Sequence, residues 1–257
     1  MQPTLLTYLI VCPLIFLGGF IDSIAGGGGL ITLPAYYLAG LNPSLAGGTN
    51  KLSAMLGTAV STGKYVKAGK VAWLQGLASL LGAIPGAVFG AWLLQKLPAA
   101  YVKLGVILAL PLVAVVVLRN KEFKVQKALV PEKWALPACF GIGLLIGVYD
   151  GLIGPGTGTF LLLAYMALLG DEALTAGGTA KLVNLGTNVG AAVSLALAGR
   201  VLYSLALPAA VFGIAGNWLG ASLAIKNGAP FIRVLLMVVL GLLLVALIVD
   251  TLPGLLR

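Results

Sequence analysis

The run Gly47-Gly48-Thr49-Asn50-Lys51-Leu52 returns 130 residues later as Gly177-Gly178-Thr179-Ala180-Lys181-Leu182. The offset holds well beyond it. Ala68-Gly69-Lys70-Val71 answers Ala198-Gly199-Arg200-Val201; Gly86, Gly90 and Ala91 answer Gly216, Gly220 and Ala221; Lys96, Tyr101 and Lys103 answer Lys226, Phe231 and Arg233. One offset over so many points is an internal duplication, so the chain must fold as two copies of one unit. Upstream of each lysine stands an aspartate followed by a glycine-rich run: Asp22 with Gly26-Gly27-Gly28-Gly29, and Asp150 with Gly154-Pro155-Gly156-Thr157-Gly158.

The solvent for this unit is hydrocarbon. Of 257 residues, 60% are hydrophobic and 9% charged, against roughly 25% charged in soluble domains. Long apolar runs without alternation favour an all-α polytopic membrane protein over a barrel. In a soluble protein a net charge of +9 would point to nucleic acid. Here it reads as loop lysines and arginines held by the positive-inside rule, and no nucleic-acid partner is expected. Histidine is absent, which removes the usual metal ligand and proton shuttle. Cys12 and Cys139 form no spaced ligand set, so no metal and no cofactor is expected. The apolar opening recurs in the second half and is read as a permanent helix, not a cleaved signal.

Turn signals divide each half into five helical segments. They fall near 4–24, 29–41, 44–66, 71–95 and 98–119, then 134–153, 158–170, 173–198, 201–226 and 229–250. The expected organisation is a first transmembrane repeat at 1–120, a basic linker at 121–132 and a second repeat at 133–257. The second segment of each half is short: about 13 residues reach roughly 20 Å, less than a hydrocarbon core of about 30 Å. Segments of this kind are broken or re-entrant helices shielded by protein or a cavity. At matching places in two halves they mark a transporter's binding site. An odd number of crossings per half inverts the halves and an even number makes them parallel. Both models divide the loop cations 10 to 4, so charge counting does not separate them. Inverted repeats are expected because broken helices commonly accompany that arrangement.

Four ionisable residues fall away from the loops: Asp22, Lys51, Asp150 and Lys181. Each costs about 2.5–3.5 kcal/mol at a membrane centre. Unpaired, the four would total on the order of 10 kcal/mol, comparable with the stability of a whole domain. Retaining them requires pairing, function or escape. Lys51 lies about two turns into its helix, from where a lysine stem can snorkel to the interface, and the aspartates could cap helix ends.

The glycine runs sharpen the functional reading. Gly27, Gly28 and Gly29 lead into one short helix and Gly156, Thr157 and Gly158 into the other. A helix N-terminus offers free N–H groups and partial positive charge to an anion, and glycine lets the backbone approach closely. With hydroxyls at Thr49, Thr157, Thr159 and Thr179 and amides at Asn50, Asn184 and Asn188, the candidate ligand is a small oxyanion.

This pattern resembles the sulfite exporter TauE/SafE family, also called the toluene-sulfonate uptake permease family. The resemblance rests on Asp22 with its glycine run, Gly48-Thr49-Asn50-Lys51, and the echoes Asp150 and Gly178-Thr179-Ala180-Lys181. It covers nearly the whole chain. It implies a multi-pass protein of the cytoplasmic (inner) membrane, monomer or homodimer, that moves sulfite, sulfonates, sulfoacetate or related anions, as an exporter driven by the proton gradient. Ala180 stands where the first copy has Asn50, so the half-sites are not expected to contact ligand equivalently.

The expected mechanism places Lys51 and Lys181 on a central cavity, with Asp22 or Asp150 coupling transport to protons or holding the lysines when ligand leaves. An anion channel is the nearest alternative. A thiol–disulfide conductor would need Cys12 and Cys139 to meet and exchange. Enzyme chemistry is not expected: without histidine there is no Ser–His pair, and no nucleophile stands out for a Ser–Lys arrangement.

Overall fold

The computed structural model describes residues 3–102, 104 and 127–255; the side chains of 236 and 238–255 fall outside the description. The described residues form eight helices and no strand. Thr4 opens α1 (Leu5–Ala25) with a reciprocal capping box to Thr7, satisfying two N–H groups that a helix start leaves free. α1 ends at Gly26 and Gly27, whose φ values of 74° and 89° lie in the left-handed region that glycine adopts without steric penalty. The short α2 follows (Gly29–Leu38). Asn42 caps α3 (Pro43–Lys67), accepting from the Leu45 N–H, with Pro43 in the first turn, where its missing N–H is harmless. α4 spans Trp73–Lys96.

The second half repeats this order: α5 (Glu132–Leu152), the short α6 (Thr157–Ala164) running on into a π-helical turn (Tyr165–Leu169), α7 (Ala173–Leu197) and α8 (Tyr203–Leu255). α8 breaks at Gly228, with φ 70° and ψ −159°, between the two segments expected at 201–226 and 229–250. Each described helix starts within two residues of its expected position. The expected segment at 98–119 and the junction at 121–132 lie mostly outside the described residues.

Among the described residues, five helices are long and apolar enough to cross a membrane: Leu5–Ala25, Trp73–Lys96, Glu132–Leu152, Ala173–Leu197 and the Tyr203–Leu235 part of α8. The chain is an all-helical, multi-pass membrane protein. Leu5, Leu81, Leu145 and Val211 lie exposed on its outside, where a bilayer replaces water. α3 carries Lys51, Asn50 and several Ser and Thr residues, many of them buried; it is an inner helix.

The two halves interlock. α4 packs most extensively on α5, and α1 on α8, so the first helix of each half is clasped by the fourth of the other. Small residues make this possible. A Cβ on Gly82, Gly86 or Gly90 would lie 2.2–2.5 Å from carbonyl oxygens of α5, and one on Gly143, Gly147 or Gly151 would lie 2.0–2.5 Å from those of α4. Gly216 and Gly220 of α8 meet Phe16 and Phe20 of α1 in the same way.

The innermost helices, α3 and α7, touch through equivalent residues, Asn188 Nδ2 lying 3.4 Å from Thr58 Oγ1. Contacts along this pair run in opposite senses: Gly48 meets Leu195 and Gly178 meets Tyr65. Along α4 and α7 they run in the same sense, Gly76 meeting Leu182 and Leu80 meeting Gly186.

Candidate functional site

Each half contributes an aspartate at the end of its first helix, a glycine break, a short helix and a lysine in its third helix. The fold exchanges the charges between halves. Lys51 Nζ lies 2.6 Å from Asp150 Oδ1 and Lys181 Nζ lies 2.7 Å from Asp22 Oδ2. Three of the four side chains are at most 8% exposed, and Asp22 is 17% exposed. Neither lysine extends to the protein surface. Pairing answers the cost of four unpaired charges, since isolated ions in hydrocarbon are far more expensive than paired ones.

The pairs differ in detail. Asp150 Oδ1 also accepts from Thr157 Oγ1 at 2.6 Å, while Asp150 Oδ2 is buried without a hydrogen-bond partner. Both oxygens of Asp22 are engaged, Oδ1 accepting from the Gly28 N–H at 3.3 Å. Lys51 also donates to Asn188 Oδ1 at 3.2 Å. The glycine runs meet face to face: a Cβ on Gly26 would lie 2.6 Å from the Gly158 Cα, and one on Gly158 would lie 3.2 Å from Lys181 Nζ. The N-cap residues Gly28 and Gly156 carry no capping side chain; Asp22 takes the Gly28 N–H instead, and the Gly154 carbonyl takes the Thr157 N–H.

These elements line a partly open cavity of about 50 Å³ between the halves. Of the residues expected at the site, Asp22, Gly27, Gly28, Gly29, Asn50, Lys51, Asp150, Gly156, Thr157, Gly158, Asn184 and Asn188 all line it. Lys181 is not in the lining and sits behind Asp22, 2% exposed. Thr49 and Thr179 are elsewhere. Thr49 Oγ1 donates to Leu45 O and accepts from the Leu202 N–H; Thr179 Oγ1 donates to Thr175 O and accepts from the Ala72 N–H. Fully buried, the two hydroxyls staple each third helix to the loop of the opposite half. Thr159 similarly donates to Ala25 O at 2.9 Å.

Sequence reasoning missed Asn217, which lines the cavity from α8 and has a buried, unpartnered Oδ1. Its signal was available: an amide within an apolar membrane helix. Ser53, Thr58 and Thr32 also line the cavity and were passed over because hydroxyls are common in membrane helix packing. The described residues contain no group of acidic, cysteine or histidine side chains able to hold a metal. Cys12 and Cys139 are buried and unbonded.

A duplicated membrane bundle with broken helices, exchanged ion pairs and a central cavity lined by charged and amide side chains is the architecture of a membrane transporter. The family model for the sulfite exporter TauE/SafE family matches residues 11–247, and the chain belongs to that family. It is 36% identical to the probable membrane transporter protein ORF9 of Sinorhizobium sp. over 96% of this chain and 93% of that one. It is 31% identical to the probable membrane transporter protein YfcA of Escherichia coli strain K12, over 91% of this chain and 87% of the other. A probable membrane transporter protein of Haemophilus influenzae is 30% identical over 91% of this chain and 92% of its own. No solved structure matches the chain.

Proposed function

We propose that this protein is a secondary transporter of small sulfur-containing oxyanions (sulfite, sulfonates, sulfoacetate or related organosulfonates), exporting them across the cytoplasmic membrane with coupling to the proton gradient. The observation that carries this reading is the central cavity with Lys51 on its wall, Lys181 held behind Asp22, and the starts of both short helices at its lining. An ammonium group beside the side-chain amides of Asn184 and Asn188 offers donors suited to an oxyanion.

Size narrows the ligand. A single water needs about 10–15 Å³ of such space, so a cavity of about 50 Å³ suits a sulfite or one sulfonate head. Charge supplies the coupling. Two lysines against two aspartates leave the unloaded cavity formally neutral, so a bound monoanion releases a lysine from its aspartate and one proton restores neutrality. That balance favours proton-coupled transport.

Alternating access follows from one repeat rocking against the other. The inverted arrangement is supported by the third helices, which touch in opposite senses at equivalent residues. The test is flux in proteoliposomes loaded with radiolabelled sulfite or a sulfonate. Lys51→Ala and Lys181→Ala are each expected to reduce it by about 10- to 150-fold, the loss of one charged hydrogen bond of about 1.5–3 kcal/mol. Unchanged flux in both variants overturns the site assignment. Flux that ignores an imposed pH gradient overturns the coupling alone.

A further inference from the structure

We propose that Asn217 sets the specificity of the cavity: it selects an oxyanion that carries an O–H or N–H group over one that carries a methyl group in the same place. The proposal rests on reading the central cavity as the anion site, and it names the chemical feature by which that site ranks its anions.

The first observation is that one wall of the cavity has no counterpart across the duplication. Ile15, Gly18 and Gly19 of α1, Ser53 of α3, and Gly213 and Asn217 of α8 line the cavity. At the 130-residue offset these become Leu145, Val148, Tyr149, Val183, Ala83 and Ala87, none of which lines it. The charges are paired twice over, Lys51 with Asp150 and Lys181 with Asp22, but this wall occurs once. A ligand held against it has one orientation, not two related by the repeat.

The second observation is that the first half is shaped around Asn217. Its Nδ2 donates to Gly213 O, one turn back in α8, at 2.9 Å. A Cβ on Gly19 would lie 2.7 Å from that nitrogen and one on Gly57 2.6 Å, so the two glycines leave the amide its place. At the equivalent positions of the other copy all three change together: Tyr149 and Thr187 replace the glycines and Ala87 replaces the amide. A buried Asn in a membrane helix commonly ties helices together. The hydrogen bond described for Asn217 is instead to its own helix, and helix association does not account for this amide.

The third observation gives the sign of the selection. Turning the amide over would set Oδ1 against Gly213 O, acceptor against acceptor, so the carbonyl is the end left over. Asn217 Oδ1 is buried without a hydrogen-bond partner, on a residue 3% exposed. An acceptor in that condition is costly, and a ligand that brings a donor relieves the cost. Ser53, the other polar side chain of this wall, gives its hydrogen to Asn50 O and accepts from Tyr36. The oxygens of an anion are themselves acceptors; they are repelled here and turn to the Lys51 ammonium and the amides of Asn184 and Asn188. What meets Asn217 is the remaining group on the anion head. A cavity of about 50 Å³ holds only a few waters, so that group is small.

The test uses methanesulfonate and sulfamate, near-isosteric monoanions that differ in a methyl against an amino group. Each is used to displace radiolabelled sulfite from the purified protein, and the readout is the ratio of their inhibition constants. In the parent, sulfamate is expected to bind about tenfold more tightly, the effect of one hydrogen bond to a buried acceptor. Asn217→Ala copies the equivalent Ala87, and Asn217→Leu fills the same space with hydrocarbon; each is expected to bring the ratio to about one. A purely structural Asn217 would weaken both anions together and leave the ratio where it was. The parent ratio needs no variant to fold, and the two variants differ in bulk, so the loss of one leaves the other. The proposal is overturned by a parent ratio within about twofold of one, by failure of both anions to displace bound sulfite, or by a sulfamate preference that survives in a folded variant. A protein that binds no sulfite overturns the reading of the cavity and this proposal with it, whereas sulfite binding with an unselective ratio overturns this proposal alone.

Discussion

Breaking the Lys51–Asp150 pair from one side is predicted to destabilise the protein more than removing it altogether. Both side chains are at most 8% exposed and 2.6 Å apart, so solvent screens the interaction little. Lys51→Met leaves the Asp150 carboxylate with only the Thr157 hydroxyl. Removing one partner of a buried pair costs about 3–5 kcal/mol. For chains of roughly this length, 1 kcal/mol moves Tm by about 2–4 °C, so Lys51→Met is expected to lower Tm by about 6–20 °C. Asp150→Asn keeps an acceptor for Thr157 and is expected to cost less. The double variant leaves no buried charge and should recover at least half the loss of Lys51→Met, a coupling of about 2 kcal/mol. Unfolding in detergent can be followed with a thiol-reactive dye, because both cysteines are buried and free. Additive single effects, within about 0.5 kcal/mol, would refute the claim that the two charges hold one another.

Further expectations concern the frame around the site. Gly48→Ala and Gly178→Ala place a methyl 1.9 Å from Arg200 O and 1.8 Å from Lys70 O. Each is expected to lose about 1–3 kcal/mol or more from overpacking, read as a lowered Tm. Thr49→Val and Thr179→Val orphan the Leu202 and Ala72 N–H groups, at about 1–3 kcal/mol each, while flux per folded molecule is retained. Asp171, in the loop before α7, has its pKa raised by burial, the hydrogen bond from Gln75 offsetting only part. The folded state therefore binds this proton more tightly than the unfolded chain. That stabilisation is complete below about pH 4, the ordinary aspartate value, and is lost as pH rises through the folded value. Asp171→Asn is expected to raise Tm at neutral pH and to lose the advantage in acid. Lys70 and Glu172, 3.8 Å apart and well exposed, form a pair whose removal is expected to change Tm by less than about 2 °C.

The duplication, the short second helices and the four intramembrane charges were legible because each is a local pattern: an offset, a segment length, a charge in apolar surroundings. The partners of those charges were not legible. Lys51 meets Asp150 and Lys181 meets Asp22 because α4 clasps α5 and α1 clasps α8, and no local spacing encodes contact between helices a hundred residues apart. Thr49 and Thr179 illustrate the same limit. Their hydroxyls looked available beside the lysines, yet each is used by a loop of the other half. Asn217 went unread because its equivalent in the first half is Ala87, so matching the two copies drew no attention to it.

Equilibrium binding of radiolabelled sulfite to the purified protein tests the account at its centre. Saturable binding that competes with sulfonates, and that is lost in both Lys51→Ala and Lys181→Ala while each variant still unfolds cooperatively, is the predicted result. Undiminished binding in the two folded variants would contradict it.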